Sequence, residues 1–423
     1  MAHVHRSFKR RWIGLIQLVL LNIITTWDWV SFAASAGISA EYFGVSESDT
    51  NWLSIAFLGG FCVFAPGVIY LVPKFGIRSS CLAAAILLLA GNWIRYVGAV
   101  AREGGIFGLV MFGQILIGIS SAFVLPIPTS YSQIWFTEKG RVKATAVATL
   151  ASPLGAALGQ LISPLWMNSA GDVPRMILWT SILSSISSIP TIFVPDTLPA
   201  RGPSSAAAVL GSKQQLSLLI HSLQFWFLFI PFSVYVGLFN ALTTLLDQIL
   251  GPYGATESEA GICGAILIAS GIVSAIIVSL LVDISQSHVL VIKALSPIIA
   301  ICYLIFRWIP DLSPIMGAYI VSGSLGAASF ALVPVVLEWL VDATFPVGAE
   351  FTSTICWIGG QFMGIVSVLV MNAFKEDGNA APPYNMKQAL TFQAVLGAVV
   401  CPLPMLVGVF GGLAENRRHQ AGV

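Results

Sequence analysis

The stretch DTLPARGPSSAAAVLGSKQQ, Asp196–Gln215, is the longest interruption of hydrophobicity inside the 423-residue chain. Pro, Gly, Ser and Ala dominate it, and such a segment favours turns and has little to bury. What flanks it decides the fold. Apolar segments of spanning length recur on both sides: 12–34, 51–72, 78–98, 104–131, 141–167 and 174–195 before the break, and 218–245, 258–282, 289–309, 312–338, 346–372 and 385–411 after it. At about 1.5 Å per residue each can cross roughly 30 Å of hydrocarbon as a helix. The break therefore divides twelve spans six and six. The expected organisation is an amino-terminal bundle over 1–195, a linker over 196–217 and a carboxy-terminal bundle over 218–423.

Composition agrees with this reading. Hydrophobic residues make up 57% of the chain and charged residues only 9%, too few to cover a soluble core of this size. The segments lack the period-two alternation of a membrane barrel. Net charge is +1, and no basic block beyond the amino terminus suggests nucleic acid. Cys62, Cys81, Cys263, Cys302, Cys356 and Cys401 all sit in apolar stretches without paired spacing and read as small hydrophobes. The basic start MAHVHRSFKRRW leads straight into the first span without a small-residue cleavage pattern, which predicts a retained helix.

Charge placement orients the spans. With a cytoplasmic amino terminus, Arg6, Lys9, Arg10, Arg11, Lys74, Arg78, Lys139, Arg141, Lys143, Arg201, Lys213, Lys293, Arg417 and Arg418 all face one side. The opposite side receives mainly acids, from Glu41, Glu47 and Asp49 to Glu376 and Asp377. This asymmetry predicts an even number of spans with both termini in the cytoplasm. The plasma membrane is the expected location. The softest stretch is EWLVDATFPVGAE, Glu338–Glu350, which reads as a loop or a partly embedded turn.

Polar groups inside the spans mark the candidate pathway. Asp28, in ITTWDWVSFAAS, would cost about 2.5–3.5 kcal/mol or more if left unpaired in hydrocarbon. It requires a cavity, a partner or a proton. As a pathway residue it would attract a cation or carry a proton; as a structural residue it would bond a neighbouring helix. Asp247, near the outer end of the seventh span, is a weaker case. Trp27 and Trp29 cannot share a helix face, because each residue turns the chain by about 100°. One of them could offer its ring to a quaternary ammonium group, or both could anchor the interface. Asn22, Asn92, Gln114, Gln160, Asn240, Gln361 and Gln393 also interrupt apolar spans. Asn240, with Gly237 and Thr243 nearby, suggests a helix that unwinds locally.

Small residues four apart, at Gly104 and Gly108, Gly155 and Gly159, and Gly360 and Gly364, permit close helix approach. Asp283 follows a span and is expected to hold helix ends together at a cytoplasmic gate. No nucleotide-binding loop, HExxH or G-x-S-x-G occurs, and the histidines show no ligand spacing. No enzymatic activity, metal or cofactor is expected.

Four segments carry a resemblance across nearly the whole chain. They are RRWIGLIQLVLLNIITTWDWVSF with NWLSIAF, WFTEKGRVKATAVATLASPLG, GLFNALTTLLDQILGPY, and EWLVDATFPVGAEFTS with GGQFMG. Together they resemble the major facilitator superfamily and, within it, the feline leukemia virus subgroup C receptor-related carriers of choline, ethanolamine and haem. The resemblance implies a site between two six-helix halves. It places the family's first-helix tryptophan at Trp29 and its eleventh-helix glutamine at Gln361. Asp342, before Ala343-Thr344-Phe345-Pro346, would fall at the cytoplasmic gate. The chain departs from the family pattern at Pro153, where a fifth-helix glutamine is usual, and Gln160 lies two turns too far along to replace it. It departs again at Asn240, where a seventh-helix tyrosine is usual, and at Pro73, where facilitators carry an acid.

The sequence thus leads to an all-α membrane protein of the major-facilitator type. Its expected function is alternating-access transport of a small organic cation or zwitterion, choline- or ethanolamine-like. Trp29, Asn240 and Gln361 would line the site, Asp28 would assist, and Asp342 and Asp283 would gate. The expected partners are the solute and membrane lipid, with the chain acting as a monomer. The alternatives are a haem or vitamin transporter of the same fold, and a receptor that transports nothing.

Overall fold

The computed structural model describes residues 11–136, 138–194, 211–285, 287–312 and 315–408. Every regular element among them is helical. The helices before the break are α1 Arg11–Val30, α2 Ala36–Phe43, α3 Glu47–Val100, α4 Phe107–Val124, α5 Ile127–Trp135, α6 Glu138–Leu165 and α7 Val173–Ser188. After it come α8 Ser212–Ile220, α9 Leu223–Leu250, α10 Glu257–Ser285, α11 His288–Phe306, α12 Ile309–Leu312, α13 Ile315–Ala343, α14 Ala349–Ala373, α15 Lys387–Val400 and α16 Pro402–Met405. The basic termini and most of the linker, including Arg6, Arg201 and Arg417, lie outside the described residues.

Eleven helices among the described residues are long and apolar enough to cross a membrane. The remaining expected span, 141–167, falls on α6, which is 28 residues long. Two of the spans share α3. Gly76 separates them at φ 81° and ψ 166°, a left-handed backbone that only glycine adopts without strain. At the start of α3, the Ser46 hydroxyl accepts from the Asp49 N–H at 3.1 Å while the Asp49 carboxylate accepts from the Ser46 N–H at 3.1 Å. This capping box satisfies two donors that a helix start leaves over. The stretch expected to interrupt the tenth span does so only in part. Glu338–Ala343 continues α13, and the turn is confined to residues 344–348.

The chain packs into two compact units. One comprises Met1–Pro199 with Leu242–Ile268, the other Ala200–Ala241 with Ala269–Val423. The grouping therefore differs from a simple cut at the linker, because the end of α9 and the start of α10 pack with the first unit. Small residues set the helix spacing in each. In the first, a Cβ on Gly155 would strike the Ile23 carbonyl and the Thr26 hydroxyl of α1, and one on Gly118 would strike the Phe57 backbone. In the second, Gly237 lies against Met363 and Gly364, and Gly271 against Phe330. Gly104 and Gly108 do not make the expected close approach. Gly104 has a φ of 72° and lies in a turn against the Tyr42 carbonyl, and a Cβ on Gly108 would meet open space. Large apolar side chains such as Ile276, Ile277, Leu280 and Leu281 of α10 stay exposed, as a lipid-facing surface requires.

Candidate functional site

In the first unit, Asp28 lies two residues before the end of α1. It is not a free carboxylate. Its Oδ1 pairs with Nη1 of Arg95 at 3.2 Å, and both side chains have no solvent exposure. Asn92 Nδ2 donates to the other carboxylate oxygen, and Asn92 and Arg95 stand one turn apart on α3. The Asp28 carbonyl accepts from Gln114 Nε2 of α4 at 3.1 Å. Of the readings open to Asp28, this arrangement is the bond to a neighbouring helix. An enclosed carboxylate with a guanidinium at ion-pair distance is already neutralised, and desolvating it alone would be costly. Sequence reasoning misses Arg95. The available signal is the cation at position 95, inside the third span and three residues from an amide, in a chain with one carboxylate deep in the first.

The two tryptophans beside Asp28 point to different neighbours, as the helical rotation demands. Trp27 stacks on Trp166 at 5.7 Å and donates to Ser163 Oγ at 3.3 Å. Trp29 stacks on Phe57 of α3 at 6.0 Å and is 7% exposed. Its buried indole N–H has no acceptor among the described residues. On α6, the Ser152 carbonyl accepts from Thr26 Oγ1 at 2.7 Å, immediately before Pro153. Close packing of α6 on α1 follows at Gly155, where a Cβ would strike the Ile23 carbonyl. Gln160 serves a different end, donating to the Thr243 carbonyl of α9 at 3.0 Å.

The end of α9 and the start of α10 join this unit through polar contacts. Gln248 Nε2 donates to Asn51 Oδ1 at 2.7 Å. The Ile38 N–H donates to Glu257 Oε1 at 3.1 Å, and Asp247 lies near the Ala36 and Gly37 N–H groups. Both carboxylates are thus drawn to the start of α2, where the helix dipole favours negative charge.

In the second unit, the structure joins two of the expected site residues. Asn240 Nδ2 of α9 donates to Gln361 Oε1 of α14 at 2.7 Å, with the side chains 5% and 7% exposed. The expected local unwinding near Asn240 is absent: α9 runs unbroken through Gly237 and Thr243, and Gly237 instead admits the backbone of α14. Nearby, the Tyr235 hydroxyl lies 3.3 Å from the Gly397 carbonyl and 3.4 Å from that of Ser296, and Gln393 Nε2 donates to the Leu238 carbonyl at 3.1 Å. Asp342 sits partly exposed in the last turn of α13. Asp283 lies in the last turn of α10, and its side chain is outside the described residues. Among the described residues no group of three or more His, Cys, Asp or Glu could hold a metal ion.

Residues 18–369 match the family model of the Major Facilitator Superfamily. The chain belongs to this superfamily. Among superfamily relatives, Solute carrier family 49 member A3 of Danio rerio is 29% identical, over 98% of this chain and 90% of its own length. The Choline/ethanolamine transporter FLVCR1 of Mus musculus is 26% identical, over 89% of this chain and 72% of its own. The superfamily fold is also seen in solved structures. A bacterial homologue of the human lysosomal transporter Spinster, inward-facing and unoccupied, superposes with a TM-score of 0.70 at 12% identity, over 95% of this chain and 97% of that one. The transporter FucP, in its outward conformation, superposes with a TM-score of 0.64 at 14% identity, over 94% and 99%. The protein is therefore a multi-pass member of a transporter superfamily.

Proposed function

We propose that this protein carries a small hydroxylated or amino-bearing organic cation, choline- or ethanolamine-like, by alternating access. The observation that carries the reading is the Asn240–Gln361 bond. It uses one amide N–H and one amide carbonyl, and so leaves a carbonyl oxygen on one residue and an NH₂ group on the other. The remainder is the same whichever way the two amides are oriented. One acceptor and one donor on adjacent side chains suit a hydroxyl, which both donates and accepts. Trp29 would supply a ring face for the cationic end, a contact worth about 0.5–2 kcal/mol.

The names of the relatives support the solute class, since FLVCR1 is a choline/ethanolamine transporter. In this reading Asp342 and Asp283 belong to the cytoplasmic gate, both termini are cytoplasmic, and the chain works as a monomer in the plasma membrane. Membrane potential alone could concentrate the solute, because one charge moved through 100 mV is worth about 2.3 kcal/mol. The test is uptake of labelled choline and ethanolamine into proteoliposomes containing only this protein, with potential and pH gradients imposed separately. Saturable uptake that follows the potential is the expected result. Uptake of neither solute, in vesicles that hold folded protein, would overturn the reading.

A further inference from the structure

The first span is broken. α1 stops at Val30, a short tight helix runs from Ala33 to Ser35, and Ser35 leaves helical space at φ −147° and ψ 58° before α2 begins at Ala36. A helix end leaves carbonyls without partners, and in hydrocarbon these must be satisfied from within the protein. Here the Asp28 carbonyl accepts from Ser31 Oγ at 2.9 Å and from Gln114 at 3.1 Å.

Arg95 reaches across the end of α1. From α3 its guanidinium pairs with the Asp28 carboxylate at 3.2 Å, donates to Ser31 Oγ at 2.9 Å and lies 4.7 Å from the centre of the Phe32 ring. One group thus touches the chain both before and after Val30. A planar fork of donors can bridge in this way, whereas a lysine ammonium is a single point of charge. A buried ion pair contributes little net stability over well-packed apolar side chains. Its contribution is then to geometry.

We infer that Asp28 and Arg95 form a clasp that sets where the first span stops being helical, and thereby the direction in which Trp29, lying between Asp28 and the break, presents its ring. Both are positioning residues and touch no solute. The inference rests on the reading of Trp29 as a site residue, but the clasp itself can be tested without transport.

The full chain, labelled with fluorotryptophan and reconstituted in lipid, gives a fluorine NMR resonance for Trp29 that is assigned by its loss in Trp29→Phe. The double variant Asp28→Asn/Arg95→Gln removes both charges together. Arg95→Lys keeps the charge and loses the fork, and Ser31→Ala removes one bond on each side with little risk to folding. The expected result is a shifted or split Trp29 resonance in all three, with Trp357 of the other unit unmoved. For labelled choline, KM should rise on the order of fivefold while the maximal rate per molecule is kept, the pattern of lost binding without lost turnover. An unchanged Trp29 resonance in Arg95→Lys and Ser31→Ala would overturn the clasp. So would an unchanged KM in a protein whose Trp29→Ala variant has a raised one. If Trp29→Ala leaves choline uptake untouched, the site reading fails, and the resonance alone then decides the clasp.

Discussion

Each unit contains a buried polar pair that joins two of its helices, Asp28–Arg95 in the first and Asn240–Gln361 in the second, and the two pairs are built differently. Asp28 and Arg95 are fully charged in type, fully enclosed and bonded on several sides. Asn240 and Gln361 are neutral, slightly exposed and share a single bond. The first arrangement is closed, because the two charges pair with one another and neither side chain reaches solvent. The second is open, because each amide retains hydrogen-bonding capacity that its partner does not use. A charge inside a membrane protein is thus a poor guide to where a cation binds unless its partner is known, whereas an incompletely bonded amide pair offers the chemistry a solute can take up.

The largest expected effect tests the closed pair. Arg95→Gln alone should cost about 3–5 kcal/mol by stranding the Asp28 carboxylate, seen as a lower thermal midpoint or loss of folded protein. The double neutral variant should lose much less, and equal losses in the two would mean the pair is not enclosed. Next comes the open pair. Asn240→Leu should remove about 1–3 kcal/mol of the preference for choline over tetramethylammonium, which lacks the hydroxyl, as read in competition for uptake. An unchanged preference would detach the amides from the solute.

Trp29→Ala should weaken choline binding roughly tenfold while folding and surface level persist, measured by uptake at varied concentration. The smallest effect belongs to a third kind of pair. Lys387 meets Asp311 at 2.9 Å with both side chains about a third exposed, and Arg307 reaches the same acid at 3.4 Å. Lys387→Ala should shift stability by less than about 1 kcal/mol and less still at high salt. A shift as large as that of Arg95→Gln would erase the distinction between enclosed and exposed charge.

Much of the fold is legible in the sequence. Span length and helical class depend on composition over windows of about twenty residues, and hydrocarbon enforces them one helix at a time. Close packing at Gly155 and Gly159 is legible too, since the spacing places both on one face. What the sequence misleads about is always a matter of neighbours. Asp28 calls for a partner that the sequence does not name, because Arg95 is 67 positions away in the chain and beside it in space. Gly237 reads as a hinge but is where the backbone of α14 comes close. Asp247 reads as a stray acid but lies near the start of α2.

Hydropathy along the chain is enough to establish a helical membrane protein and the residues that are polar at depth, because lipid solvates each span independently. Which of those polar residues spend their bonding on each other, and which keep some in reserve, is settled by packing alone. That choice depends on the rotation and depth of one helix against another, which no single span records.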